Sequence, residues 1–246
     1  MRTAFLLLVL FVLISVWWFR LPADSTSTVE SVMEVDASDK LVKPKQQIGS
    51  NAENLNKEAI KDVLAEKNIP VHEIEHFGYG AIPILVELYS EAQTNLEKSR
   101  IAWVFWRLGW KSPEIEHAMA ADLESDDANL KVWVQWGIAK STQSSEVINK
   151  LVYNLENDPS PFVRDKAACA LASDFIHISP SQRLIILKGL VAGLDNEILQ
   201  VRKSSLQALQ IQTGQSKGFV PNADEQARAE SIAEWHKWLE EYEQSL

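Results

Sequence analysis

Cysteine is almost missing from this chain of 246 residues: Cys169 is the only one. A lone cysteine excludes an internal disulfide and any thiolate metal cluster. Positive charge is also scarce. Lysine and arginine number 24 against 34 aspartates and glutamates, a formal net charge of −10. Such a balance argues against an extended basic surface for phosphate backbones, so no nucleic-acid partner is expected. Strand-like runs with a period of two are lacking, and the nine glycines and nine prolines fall mostly between helical stretches. A phosphate loop is missing too: "TGQSKGF" has Gly214 and Gly218 but no Lys-Ser/Thr ending. His117, His177 and His236 are scattered, with no spacing that pairs a nucleophile with a base. What remains is 46% hydrophobic and 24% charged, the composition of a globular protein with a real core.

The first apolar run is Ala4–Phe19, "AFLLLVLFVLISVWWF". Sixteen helical residues span about 24 Å, slightly under a hydrocarbon core of roughly 30 Å. Trp17 and Trp18 stand where an aromatic belt meets headgroups, and Arg20 can snorkel. Residues 4–19 are therefore expected to be a transmembrane signal anchor in contact with the lipid bilayer. The rival reading is a signal peptide cleaved after Leu21-Pro22-Ala23. No cysteine stands directly after the run, which excludes a lipoprotein. A short N-terminal tail before a long acidic body suggests that the body lies outside the cytoplasm. Residues 20–54 are polar, without a sustained period, and are expected to be a disordered linker.

A helical pattern begins near Leu55 and stops before Pro70. Residues 55–77 are expected to form an N-terminal helical cap, residues 78–212 helix pairs, and residues 213–246 a C-terminal capping segment. Four stretches superpose: "RIAWVFWRLG" from Arg100, "LKVWVQWGIA" from Leu130, "VRDKAACALA" from Val163 and "VRKSSLQALQ" from Val201, with starts 30, 33 and 38 residues apart. Each follows another amphipathic helix. A period in this range indicates stacked helical units, none of which can bury its apolar stripe alone. The fold class expected is all-α.

"LENDPSPFVRDKAACALAS", Leu155–Ser173, resembles a HEAT repeat, with an acidic proline turn before a small-residue helix opened by Val-Arg. "GLDNEILQVRKSSLQAL" from Gly193 follows the same scheme, and "FGYGAIPILVEL", Phe77–Leu88, resembles the start of such a unit. The tail Thr213–Leu239 is similar to a segment found after HEAT repeats in some bacterial proteins. The resemblance implies a right-handed α-solenoid that binds other macromolecules, and with the N-terminal run it implies a single-pass protein of the bacterial inner membrane whose repeat domain faces the periplasm. Fold resemblance alone names no partner.

Residues His72-Glu73-Ile74-Glu75-His76 match H-E-x-x-H, the zinc-protease pattern, which needs two histidines on one helix face and a third ligand downstream. The longer form of the motif needs Gly at 79 and His at 82, where this chain has Tyr79 and Ile82. Pro70 and Gly78 confine the helix to about two turns. Val71, Ile74 and Phe77 form its apolar stripe, which turns His72 and His76 towards solvent. No metal and no cofactor are therefore expected. His72, Glu73 and His76 remain only a weak candidate set.

Nine tryptophans are the other unusual feature. In the stretch from Arg100, residues Ile101, Val104, Phe105 and Leu108 make the buried stripe, which places Trp103, Trp106 and Trp110 on the other side. With a 30-residue offset, Trp133 and Trp136 match Trp103 and Trp106. Polar Lys166, Ser204 and Gln207 stand at those positions in the later units. Trp103, Trp106, Trp110, Trp133 and Trp136 are thus the candidate lining of a partner-binding groove, since exposed aromatic patches mark interaction sites. The alternative is packing within the chain. Trp235 and Trp238 are expected to cap the last unit, Cys169 to be packed, and Arg164 and Arg202 to pair with the acidic turns at Asp158 and Asp195. The function expected is non-catalytic: an interaction scaffold for a protein or peptide. The rival readings are a zinc hydrolase through His72, Glu73 and His76, or, from the family resemblance alone, a chromophore-lyase type of protein.

Overall fold

Helix starts are set by short polar side chains that satisfy free backbone N–H groups. The computed structural model describes residues 53–142, 144–172 and 178–246. The expected anchor at 4–19 and all but the end of the expected linker lie outside these residues. Eleven α-helices are described: α1 Glu53–Ala65, α2 Val71–Glu75, α3 Ala81–Glu91, α4 Asn95–Leu108, α5 Pro113–Met119, α6 Ala128–Ser141, α7 Ser145–Asn157, α8 Pro161–Leu171, α9 Pro180–Gly193, α10 Leu199–Thr213 and α11 Glu225–Gln244. Short 3-10 turns fill Gly78–Gly80 and Ala120–Glu124. Among the described residues there is no strand, so the class is all-α as expected.

Thr94 and Ser179 form capping boxes with Glu97 and Gln182, while Ser112, Asp127, Ser144, Ser160 and Asp224 cap with their side-chain oxygens alone. Proline at the first position of α5, α8 and α9 fits where no N–H is needed. Gly109 and Gly214, in the left-handed region with φ of 61° and 73°, end α4 and α10.

Two rows result. Helices α2, α4, α6, α8 and α10 pack side by side in one, and α1, α3, α5, α7, α9 and α11 form the other, with the turn Ala120–Glu124 completing the short α5. Consecutive helices pair across the rows: α1 with α2, α3 with α4, α5 with α6, and so on to α9 with α10. The residues expected to be a simple cap, 55–77, are thus themselves a helix pair, α1 resting on α3 and α2 on α4.

Across α4, α6 and α8 the step along the row is regular and differs from the sequence expectation, while the cap of α10, Ile198, comes 38 residues after Ser160. The caps of α4, α6 and α8 are Thr94, Asp127 and Ser160, each 33 residues after the last. Four residues beyond each cap stands a cation that reaches the turn of the following pair: Lys98 to Asp122 at 2.9 Å, Lys131 to Asp158 at 2.6 Å, and Arg164 to Glu197 at 3.1 Å. The 30-residue offset between the first two units is therefore corrected to 33. Trp103 matches Trp136, Trp106 matches Ala139, and Trp133 matches Arg100.

Arg164 and Arg202 engage the turns expected for them, though through backbone oxygens of those turns rather than the carboxylates of Asp158 and Asp195. Arg164 donates to the Asp158 carbonyl at 2.8 Å, and Arg202 to the carbonyls of Asn196 at 2.7 Å and Pro221 at 2.8 Å. The Asp158 carboxylate is engaged elsewhere, by Lys131 and by the Ser160 N–H at 2.9 Å. These arginines close their own turns through backbone oxygens that would otherwise be left without donors.

Close approach within the first row depends on small residues. A Cβ on Gly137 of α6 would stand 2.7 Å from the Ala102 carbonyl oxygen of α4 and 2.9 Å from Met119 Cε. Polar groups inside are joined in a chain: Asn154 donates to the Leu123 carbonyl at 3.0 Å and to Gln135 Oε1 at 3.4 Å, and Gln135 donates to the Val163 carbonyl at 3.4 Å. Both side chains are buried, so losing either partner strands the other.

Candidate functional site

Helix α4 is flanked in its row by α2 and α6 and backed by α3, so little of it meets water. Its stripe of Ile101, Val104, Phe105 and Leu108 is buried as expected. Trp103 is buried too, at 6% exposure, as is Trp110, whose ring stacks under Tyr79 with centroids 5.3 Å apart. Both belong to the packing rather than to an open face. The side of α4 opposite its main stripe is covered by neighbouring residues at Trp103, a consequence of tertiary packing that periodicity within one helix does not show.

The other three tryptophans meet. Trp106 from α4 lies 6.3 Å from Trp133 and 5.4 Å from Trp136, both on α6, and these two sit edge to face at 5.2 Å. All three are half-buried. Trp136 Nε1 donates to the Lys166 carbonyl at 3.2 Å, which fixes its ring against α8. The Lys166 ammonium stands 6.0 Å above the Trp136 ring and 5.4 Å above Phe162, while Arg107 stands 5.9 Å above Trp103. Contacts of this length are within reach of cation–π attraction. Phe162 and Lys166 extend the cluster to a third helix. Lys166 shows in the sequence as a polar residue in the tryptophan frame. Phe162 gives no such signal.

The polar residues in that frame are less open than expected. Ser204 is buried and donates to Asp165 between α8 and α10, and Gln207 is half-buried. Cys169 is half-buried, and burial, with the negative charge of Asp165 beside it, pushes its thiol up to about 12. It is a packed, protonated thiol without nucleophilic character at neutral pH.

The H-E-x-x-H residues sit on α2, five residues long, with Val71 and Ile74 buried and His72, Glu73 and His76 exposed. His76 Nδ1 lies 2.6 Å from the His72 carbonyl oxygen, so it carries the proton and donates along the helix. Among the described residues no group of three or more His, Cys, Asp or Glu converges to hold a metal ion.

At the far end of the second row, α11 rests on α9 through Trp235, fully buried, and Leu239, 3% exposed. Trp238 crosses Trp235 at 5.6 Å and stacks on Tyr242 at 5.4 Å. Lys217 lies over both indoles, at 5.9 and 5.6 Å.

No family model matches the chain, and no curated protein or solved structure is similar to it. Among the described residues no helix is long and apolar enough to cross a membrane.

Proposed function

We propose that this protein is a HEAT-like right-handed α-solenoid, held at the bacterial inner membrane by residues 4–19, which binds a protein or peptide on its periplasmic side and catalyses no reaction. The alternation of helices between two rows and the 33-residue step support the solenoid reading. The membrane placement rests on the sequence of the apolar run alone.

One observation carries the binding reading: Trp106, Trp133 and Trp136, contributed by two adjacent helices, form a half-buried three-ring surface. Tryptophan left partly open in a cluster offers a large rigid contact area at little entropic cost, and such groups dominate binding energies. The test uses the full chain purified in detergent, beside Trp106→Ser/Trp133→Ser with its helicity verified by circular dichroism. Both are used to capture proteins from an envelope fraction. A protein retained by the parent and lost by the variant supports the reading. Identical retention by both overturns the assignment of the site.

A further inference from the structure

The two rows carry opposite charge. Helices α2, α4, α6, α8 and α10 hold nine lysines and arginines and four carboxylates, Glu73, Glu75, Glu97 and Asp165. Helices α1, α3, α5, α7, α9 and α11 hold fifteen carboxylates and seven lysines and arginines. The tryptophan surface is therefore built on the basic row of an acidic chain.

Several of the nine cations are engaged in structure. Lys98, Lys131 and Arg164 pair with the following turns, Arg202 holds carbonyls of its own turn, and Arg100 donates to the carbonyls of Leu64 and Glu66. Two others lie over aromatic rings, and a third, Lys140, is half-buried on the helix that carries Trp133 and Trp136. Arg107 follows Trp106 and lies over Trp103, Lys140 is one helical turn beyond Trp136, and Lys166 lies over Trp136 and Phe162. Among the described residues only one carboxylate pairs with any of the three, that of Asp165 with Lys166. Helix α6 has none, Glu97 of α4 is committed to its capping box, and Asp165, 2.9 Å from Lys166, is buried and accepts from Ser204.

We infer that the occupant of this surface is an acidic peptide segment with interspersed apolar side chains, the apolar groups seated on Trp106, Trp133 and Trp136 and the carboxylates facing Arg107, Lys140 and Lys166. The inference rests on the binding reading above and adds the chemistry of the partner. Two requirements lead to it. The half-buried rings favour apolar area to cover them, and Arg107 and Lys140, without an ion pair among the described residues, together with Lys166, whose carboxylate partner is buried, favour negative charge. The overall charge of −10 disfavours a polyanion as long as a nucleic acid, whereas a short acidic segment meets only the basic row.

The test uses the full chain in detergent, with fluorescein-labelled twelve-residue peptides as probes. One alternates glutamate with leucine and phenylalanine, a second replaces every glutamate with lysine, and a third keeps the glutamates but replaces the apolar residues with serine. A single-stranded oligonucleotide serves as the polyanion. The first peptide is expected to bind, to change tryptophan emission, and to weaken as salt rises. The variant Arg107→Gln/Lys140→Gln/Lys166→Gln is expected to bind it about tenfold or more weakly, as three modest charge pairs imply. Arg107→Lys/Lys140→Arg/Lys166→Arg is expected to restore binding and so excludes misfolding as the cause. Equal or tighter binding of the lysine peptide, or of the oligonucleotide, overturns the acidic inference and leaves the aromatic surface in place as a binding site. If no peptide of either charge alters tryptophan emission, the binding reading itself fails.

Discussion

Replacing Trp235 with alanine should detach one helix and leave the others folded. Trp235 is fully buried, and α11 makes its principal packing contact with α9. Its other anchors are Leu239, the half-buried rings of Trp238 and Tyr242, and the exposed pair Lys188–Glu243 at 2.8 Å. Truncating a buried tryptophan costs about 3–5 kcal/mol, while an exposed ion pair contributes about 0–1 kcal/mol. A loss of that size on the largest anchor should raise the local opening of α11 by about 10²- to 10⁴-fold. Hydrogen exchange read by mass spectrometry is the assay: amides of Glu225–Gln244 should exchange that much faster in Trp235→Ala while those of α4, α6 and α8 keep their protection. In a stack whose units touch only their neighbours, damage at the end stays local. Uniformly faster exchange across all helices would refute that reasoning, and so would unchanged exchange in α11.

Gly137→Ala should lower thermal stability more than Gly189→Ala, because the added methyl meets the Ala102 backbone oxygen, fixed by its helix, and Met119 in the first case and only the half-buried Val152 side chain in the second. Overpacking of this kind costs about 1–3 kcal/mol, against roughly 1 kcal/mol that alanine returns in a helix, and parallel melting curves check the order. Asp127 is held below the usual carboxylate range by the N–H of Leu130 first, with Asn95 and the N–H of Asn129 assisting. A depressed carboxylate stabilises the fold above its unfolded value, and that contribution is lost as pH falls through the folded one. Asp127→Ala should cost about 1 kcal/mol near neutrality, and Asp127→Asn should keep the cap but lose this share of the acid dependence in denaturant titrations at graded pH. Cys169 should resist iodoacetamide at pH 8 in the folded chain and react once denaturant is added, as mass shifts would show. Rapid native alkylation would contradict its burial.

Local features were readable in the sequence, and relations between helices much less so. Ser160-Pro161 and Ser179-Pro180 mark helix starts by their own chemistry, and Gly214 marks an end. The stripe Ile101, Val104, Phe105 and Leu108 follows from spacing alone. The register between α4 and α6 was misread because tryptophan was aligned with tryptophan. The structural equivalence lies instead in Lys98 and Lys131, whose partners, Asp122 and Asp158, come from distant turns. The burial of Trp103 and Trp110 depends on neighbours outside their own helix, Tyr79 among them. For Arg164 and Arg202 the turn was identified correctly, but the acceptors within that turn are carbonyl oxygens, and the carboxylate that Arg164 meets, Glu197, comes from the next pair, neither of which a pattern of charges reveals. Of the aromatic site, Trp106, Trp133 and Trp136 were legible as candidates, and Phe162 was not.

The equal spacing of Thr94, Asp127 and Ser160 has a bearing on how such a chain can change size. Excising residues 128–160 would join Asp127 directly to Pro161, one helix-starting residue substituting for another at the mouth of a helix that begins with proline. The deletion removes a whole module and leaves both splice ends chemically matched, although it takes Trp133 and Trp136 with it. Length and the aromatic cluster are therefore linked here: dropping this module shortens the described stack by two helices and removes two of the three clustered indoles.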